Sequence, residues 1–175
     1  MQNNNFDCIV IGGGHAGTEA AYAAARLRAS TLLVTMTADA IGKMSCNPAI
    51  GGLAKGQIVR EIDALGGIMG QAIDETGIQF RLLNSSKGPA VRSPRAQADK
   101  LKYKEYIRNR LEQTEYLTII EGEAAEIITD NATVTGIKLA DGTEYNAPAV
   151  IITAGTFLRG VMHCGDEQWQ GGRID

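Results

Sequence analysis

The chain has 175 residues, 44% of them apolar and 21% charged, with a formal net charge of -3. That length fits one globular domain with its own core and leaves little room for two. The charge excludes nucleic-acid binding through overall positive charge, but not through a local basic patch. Cys8, Cys46 and Cys164 form no C-x-x-C pair, which points away from a disulfide framework or a metal site and toward a reducing, cytoplasmic setting. No stretch reaches the roughly 18 to 20 apolar residues of a membrane span, and the opening MQNNNFD lacks the form of a signal peptide.

In chain order, residues 6–11 (FDCIVI) and 31–34 (TLLV) read as short strands rich in β-branched residues. Between them Ala16, Ala20, Ala23 and Leu27 fall at helical spacing. A strand, helix, strand unit over 6–35 implies parallel strands joined by a right-handed crossover. A helical and loop segment follows over 44–114. Its first helix is expected over 53–65, with Ile58, Ile62 and Leu65 recurring and Gly66-Gly67 ending it. The next is expected to start at Ser93 as N-cap with Pro94 in the first position, and to carry Tyr103, Ile107 and Leu111 on one face. From 117 to 155 the texture becomes short apolar runs parted by TDN and ADG, predicting a β-meander and then one buried strand at 149–153. The tail, 156–175, shows turn residues and no closing element, as though a domain were incomplete there.

Gly12, Gly14 and Gly17 form G-x-G-x-x-G directly after the first strand and at the start of the first helix. The first glycine permits a tight turn, the second leaves room for a pyrophosphate, and the third lets helix and strand pack closely. A helix N-terminus beyond them offers free N–H groups and a positive dipole end. Dinucleotide binding is the functional reading, and a glycine turn that only packs is the structural one. The pattern does not choose between a flavin and a nicotinamide cofactor. An acidic residue is ordinarily found at the end of the second strand for the ribose; here Thr35, Met36 and Thr37 stand there, and Asp39 comes late. His15 lies within the phosphate turn, where a structural or backbone role suits it better than general-base catalysis.

The stretch 44–56, MSCNPAIGGLAKG, sets Cys46 beside a turn-forming Asn47-Pro48. Gly51 and Gly52 precede the second expected helix, so bare N–H groups there are expected to meet an anion or an electron-rich carbonyl, such as the pyrimidine edge of a flavin. A thiol just before a helix start can have a lowered pKa and act as a nucleophile. It can equally be a small buried hydrophobe. Cys8 lies in a strand and reads as structural. His163 and Cys164 are neighbours on an extended run and point to opposite faces, which discounts them as a base and nucleophile pair. Lys87, Arg92 and Arg95, in a loop with Gly-Pro and Ser-Pro, suit either a phosphate-bearing substrate or structural ion pairs. The basic residues farther on mix with Asp99, Glu105 and Glu112 and read as a solvated helix surface.

DCIVIGGGHAGTEAA, MSCNPAIGGLAKG, REIDALGG, TGIQFRLLNSSKGPAVRSPRAQAD and ITAGTFLRG, in this order, closely resemble the N-terminal part of the glucose-inhibited division protein A family. The resemblance covers nearly the whole chain. It implies an α/β, Rossmann-like FAD-binding domain of glutathione-reductase type, with a parallel sheet and an inserted β-meander, incomplete at its C-terminal end. It also implies a tRNA-modifying enzyme that adds a carboxymethylaminomethyl or aminomethyl group at C5 of the wobble uridine. Such an enzyme uses FAD, with NADH and 5,10-methylenetetrahydrofolate as co-substrates, and works as a homodimer with the GTPase MnmE. By position, Gly12, Gly13, Gly14, His15, Ala16 and Gly17 would hold the FAD pyrophosphate, Ala124 would meet the adenine side, and Thr153, Ala154 and Gly155 would close over the cofactor. Cys46 matches a family cysteine held to be essential, implying a nucleophile or proton-transfer group. Family members are several times longer than this chain, so the resemblance implies a fragment that is not expected to turn over alone. Competing readings are a fumarate-reductase-like FAD oxidoreductase acting on a small acid, and a non-catalytic cofactor-binding fragment.

Overall fold

The computed structural model describes residues 4–44 and 47–172. Its centre is a four-stranded parallel sheet. Strand β1 (Cys8–Ile11) runs into helix α1 (His15–Arg26), and the chain returns as β2 (Thr31–Thr35) beside β1. This is the crossover unit expected over 6–35. The helix buries Gly17, Thr18, Ala21, Tyr22 and Ala25, so the face that packs is the stripe beside the one marked by Ala16, Ala23 and Leu27. Leu27 is 84% exposed. Apart from Tyr22 the buried side chains are small, which keeps helix and strands close.

A small antiparallel sheet follows, absent from the reading of 44–114 as helices and loops. It comprises β3 (Ala49–Gly51), β4 (Gly77–Leu83) and β5 (Ser93–Ala98), in the order β3-β5-β4. Between β3 and β4 lie helices α2 (Lys55–Ala64) and α3 (Met69–Thr76). The expected helix start at Ser93 is therefore corrected: Ser93-Pro94 opens a strand. Ile50, Ala96 and Phe80 align across the three strands, and burial of Ser93, Ala96 and Ala98 rewards extended backbone there. The helix begins later, as α4 (Lys100–Glu112), capped by Asp99, whose carboxylate accepts from the Leu101 and Lys102 N–H groups at 3.1 and 3.2 Å. Tyr103, Ile107 and Leu111 are buried as their spacing predicts; Ile107 and Leu111 each contribute roughly 1.5–3 kcal/mol of transfer free energy.

Helix α2 starts two residues later than expected, after Ala54 in a left-handed conformation (φ 60°). Its apolar stripe is not core: Ile58 is 54% and Leu65 86% exposed. Gly66, at φ 87°, ends the turn as expected.

Strand β6 (Leu117–Glu121) belongs to the parallel sheet rather than to the meander, pairing with β2 along its whole length. The meander proper is β7 (Ala124–Asp130), β8 (Thr133–Leu139) and β9 (Glu144–Asn146). Strand β10 (Val150–Ile152) then pairs with β1, giving the order β10-β1-β2-β6. It is an edge strand, with Ile151 and Ile152 38% and 52% exposed, not the buried strand expected. The tail holds an antiparallel hairpin, β11 (Val161–Cys164) with β12 (Glu167–Gln170), where turn residues alone were expected.

Side-chain alternation gives the sheet two different coats. Cys8, Val10 and Leu33 face α1 and α4 with Tyr22, Tyr103, Ile107 and Leu111. Ile9, Leu32 and Val34 face the meander with Phe6, Ile137 and Leu139. Helices on one face and a β-meander on the other direct all four parallel C-terminal ends, Ile11, Thr35, Glu121 and Ile152, toward one edge.

Candidate dinucleotide site

Open parallel α/β sheets bind ligands beyond the carboxyl ends of their strands, and here that edge gathers the loop after β1, the end of β2, the start of the meander and Thr153. The glycine loop is pinned from three sides. Gly12 N–H donates to the Val34 carbonyl at 2.8 Å, Gly42 N–H donates to the Gly13 carbonyl at 3.1 Å, and the Thr153 hydroxyl donates toward the Ile11 and Gly12 carbonyls at 2.8 and 3.1 Å. Thr153 thus ties β10 to the loop.

The three glycines do different things. Gly12 has φ 109°, and a Cβ there would lie 2.6 Å from the Thr153 carbonyl oxygen. A Cβ on Gly17 would collide with the Gly12 carbonyl, so the third glycine is what lets α1 approach β1. Beside Gly14 the described residues leave open space, with none of their atoms within 4 Å of a Cβ. Gly14 is also the N-cap of α1, has extended backbone, and supplies no side-chain acceptor. Among the described residues the first N–H groups of α1 accordingly have neither an intrahelical nor a side-chain capping partner. Uncapped donors beside empty space, at the positive end of a 12-residue helix, fit a pyrophosphate.

His15 opens that helix. Burial pushes its imidazole below the ordinary histidine range, favouring the neutral ring. Its Nδ1 is buried without a hydrogen-bond partner among the described residues, and its ring sits edge-on to Tyr103, 5.8 Å between centroids. The Tyr103 hydroxyl is likewise buried and unpartnered among those residues, and burial together with Glu19 pushes its pKa up. Ala16 is exposed on the first turn. Ala124 opens β7 at the same sheet edge, half-buried against the meander core, and Gly122 N–H donates to the Thr35 carbonyl at 2.8 Å.

Cys46 lies outside the described residues. Its flanks are anchored: Met44 is buried, and the Pro48 carbonyl accepts from Ala98 N–H at 2.7 Å. The expectation that Gly51 and Gly52 leave bare N–H groups at a helix start is corrected. Gly51 belongs to β3 opposite Arg95, Gly52 N–H donates to the Pro94 carbonyl at 2.8 Å, and α2 begins only at Lys55.

Residues 77–98 carry Arg81, Lys87, Arg92 and Arg95 and no acidic residue. In the β4–β5 hairpin Arg81 stands opposite Arg95, and among the described residues none of the four makes an ion pair. By contrast Lys104 and Arg108 of α4 pair with Asp39 and Glu112 at 2.5 and 2.7 Å, as a solvated helix face does. His163 and Cys164 are successive residues of β11, remote in sequence from the glycine loop and on alternate strand faces. Among the described residues no helix is long and apolar enough to cross a membrane.

Glu121, Gly42 and Tyr103 border this site without having been singled out for it. Their place depends on strand pairing and helix docking, for which local pattern carries no signal.

A parallel sheet coated by helices and a meander, with a pinned glycine loop at its carboxyl edge, defines the Rossmann-like fold of glutathione-reductase-type FAD-binding domains. Residues 7–175 match the family model described as glucose inhibited division protein A, and the chain belongs to that family. A relative from Aquifex aeolicus strain VF5, "tRNA uridine 5-carboxymethylaminomethyl modification enzyme MnmG", is 57% identical over 171 residues, covering 98% of this chain and 28% of the relative. One of the same name from Granulibacter bethesdensis is 57% identical over 172 residues, covering 97% and 27%. The crystal structure of Aquifex aeolicus GidA superposes with a TM-score of 0.93 at 58% identity, covering 97% of this chain and 28% of that one. A GidA-related protein from Thermus thermophilus shares the fold, with a TM-score of 0.68 at 16% identity over 97% of this chain and 61% of that one. The chain thus spans about 28% of the length of its Aquifex aeolicus relative.

Proposed function

We propose that this chain supplies the FAD-binding part of an enzyme that modifies the wobble uridine of tRNA, adding a carboxymethylaminomethyl or aminomethyl group at C5. The observation that carries the reading is the uncapped N-terminus of α1 facing the open space beside Gly14, in a chain 57% identical to relatives named for this modification. Gly12, Gly13, Gly14, His15, Ala16 and Gly17 hold the pyrophosphate through backbone N–H groups, and Ala124 borders the adenine side. FAD, when bound, supplies the redox chemistry that joins a carbon unit to uracil. NADH as reductant, methylenetetrahydrofolate as carbon donor, the GTPase MnmE as partner and a homodimeric assembly complete the proposed reaction.

In this reading Cys46 is the nucleophile or proton-transfer group of the reactive edge, and the unpaired cations of the β4–β5 hairpin meet tRNA phosphates. Titrating FAD into the purified chain should shift and sharpen the flavin absorbance bands. An unchanged spectrum for both this chain and a full-length family member sinks the proposal. Cys46→Ala in the full-length enzyme should abolish the modified nucleoside in digests of cellular tRNA while leaving flavin bound. Normal modification would remove Cys46 from the chemistry.

A further inference from the structure

The ribose of a dinucleotide in this fold is ordinarily held by a carboxylate at the end of the second strand, and β2 has none: Thr35 is followed by Met36 and Thr37. Asp39, the next acid along, is engaged elsewhere. It is bound to Lys104 at 2.5 Å on the outer surface, and that hydrogen bond and charge hold its carboxyl below the usual range.

A carboxylate reaches the same place from the adjacent strand. Glu121 ends β6 directly opposite Thr35, the last residue of β2. Its Oε1 turns back over β2 and accepts from the Ala38 N–H at 2.6 Å and from the Thr37 hydroxyl at 3.4 Å. Those contacts fix the carboxylate above the segment where the missing acid would stand. A carboxylate offers about four lone-pair directions. Oε2 makes no hydrogen bond among the described residues, and the side chain is exposed at the carboxyl edge of the sheet. The neighbouring Gly122 N–H binds the Thr35 carbonyl, so the backbone holding Glu121 is itself tied to β2.

We propose that Glu121 is the ribose-recognising carboxylate of the dinucleotide site. Oε2 accepts from the 2′-hydroxyl of the adenosine ribose while Oε1 stays anchored on the Ala38 N–H and the Thr37 hydroxyl. The inference rests on the dinucleotide reading of the glycine loop, but only on the adenosine half common to flavin and nicotinamide cofactors. A strand-end acid has in effect been moved one strand over, with sheet pairing keeping it within reach.

The test uses ADP and 2′-deoxy-ADP, titrated calorimetrically into the wild-type chain and into Glu121→Gln. Glutamine retains an acceptor for the Ala38 N–H but loses the charge and the second carboxylate oxygen. Wild type is expected to bind ADP about tenfold tighter than 2′-deoxy-ADP, the scale of one hydrogen bond to a charged group. In the variant that ratio should fall toward one, with the 2′-deoxy-ADP affinity unchanged. Persistence of the preference in Glu121→Gln, its absence in wild type, or an equal loss for both ligands would overturn the assignment; the last outcome leaves Glu121 a loop-shaping residue only. Failure of the flavin reading shows separately, as binding of ADP without binding of FAD.

Discussion

At the scale of single residues, Gly14 and Gly17 separate binding from folding. Gly14 has extended backbone that any residue adopts and faces open space, whereas a methyl group on Gly17 meets the backbone of Gly12. Gly14→Ala should leave stability within about 0.5 kcal/mol of wild type while weakening FAD binding by tenfold or more, because the methyl group occupies the space proposed for phosphate. Gly17→Ala should cost about 1–3 kcal/mol as the helix is forced from the strand. Urea unfolding and flavin titration on both variants separate the two. If Gly14→Ala binds FAD as wild type does, the space beside it is not the phosphate site. The glycine spacing was legible in the sequence because the turn at Gly12, the space beside Gly14 and the approach of Gly17 to Gly12 all fall within one six-residue loop. Glu121 was not, because its relation to Thr35 exists only through the pairing of strands far apart in the chain.

At the scale of elements, the β4–β5 hairpin sets two arginines opposite each other, and among the described residues neither makes an ion pair. Like charges directly opposite on a sheet are destabilising, by a few tenths to about 1 kcal/mol. Their juxtaposition is a stability cost that a polyanion contact would offset. Arg81→Gln should therefore raise the stability of the free chain at low ionic strength, an effect that fades as salt screens the pair. The same change should weaken tRNA binding and make log K less steep against log salt by about 0.7 to 0.9, as one phosphate contact is lost. Chemical unfolding at two salt concentrations and anisotropy with labelled tRNA read both effects. An Arg81→Gln chain that binds tRNA with an unchanged salt slope removes the hairpin from that role. This hairpin also shows why local reading failed between 44 and 114. Ser93-Pro94 carries every local mark of a helix start, yet alignment of Ala96 with Ile50 and Phe80 makes extended backbone the better burial. Asp99 supplies an equally good cap six residues on.

At the scale of the whole molecule, the parallel sheet is coated differently on its two faces, and this explains how much of the architecture was readable. Alternation sends Val10 and Leu33 toward the helices and Ile9 and Leu32 toward the meander, so the apolar runs that marked β1 and β2 as strands are buried on both sides. The same runs cannot say which strand lies at an edge. Leu117–Glu121 was grouped with the meander it precedes in sequence, and β10 was expected to be buried, because strand order is a property of the assembled sheet alone.

That strand order has a consequence for handling the chain. Strand β10 closes the sheet on one side with Ile151 and Ile152 partly bare, and a flat apolar edge is a template on which another chain can add a strand. Concentrated solutions of this chain should scatter light increasingly with time. Ile152→Lys, a charge set on the uncovered rim, should suppress that scattering without altering the adenosine end of the site; scattering that persists would place the sticky surface elsewhere, for example on the bare stripe of α2.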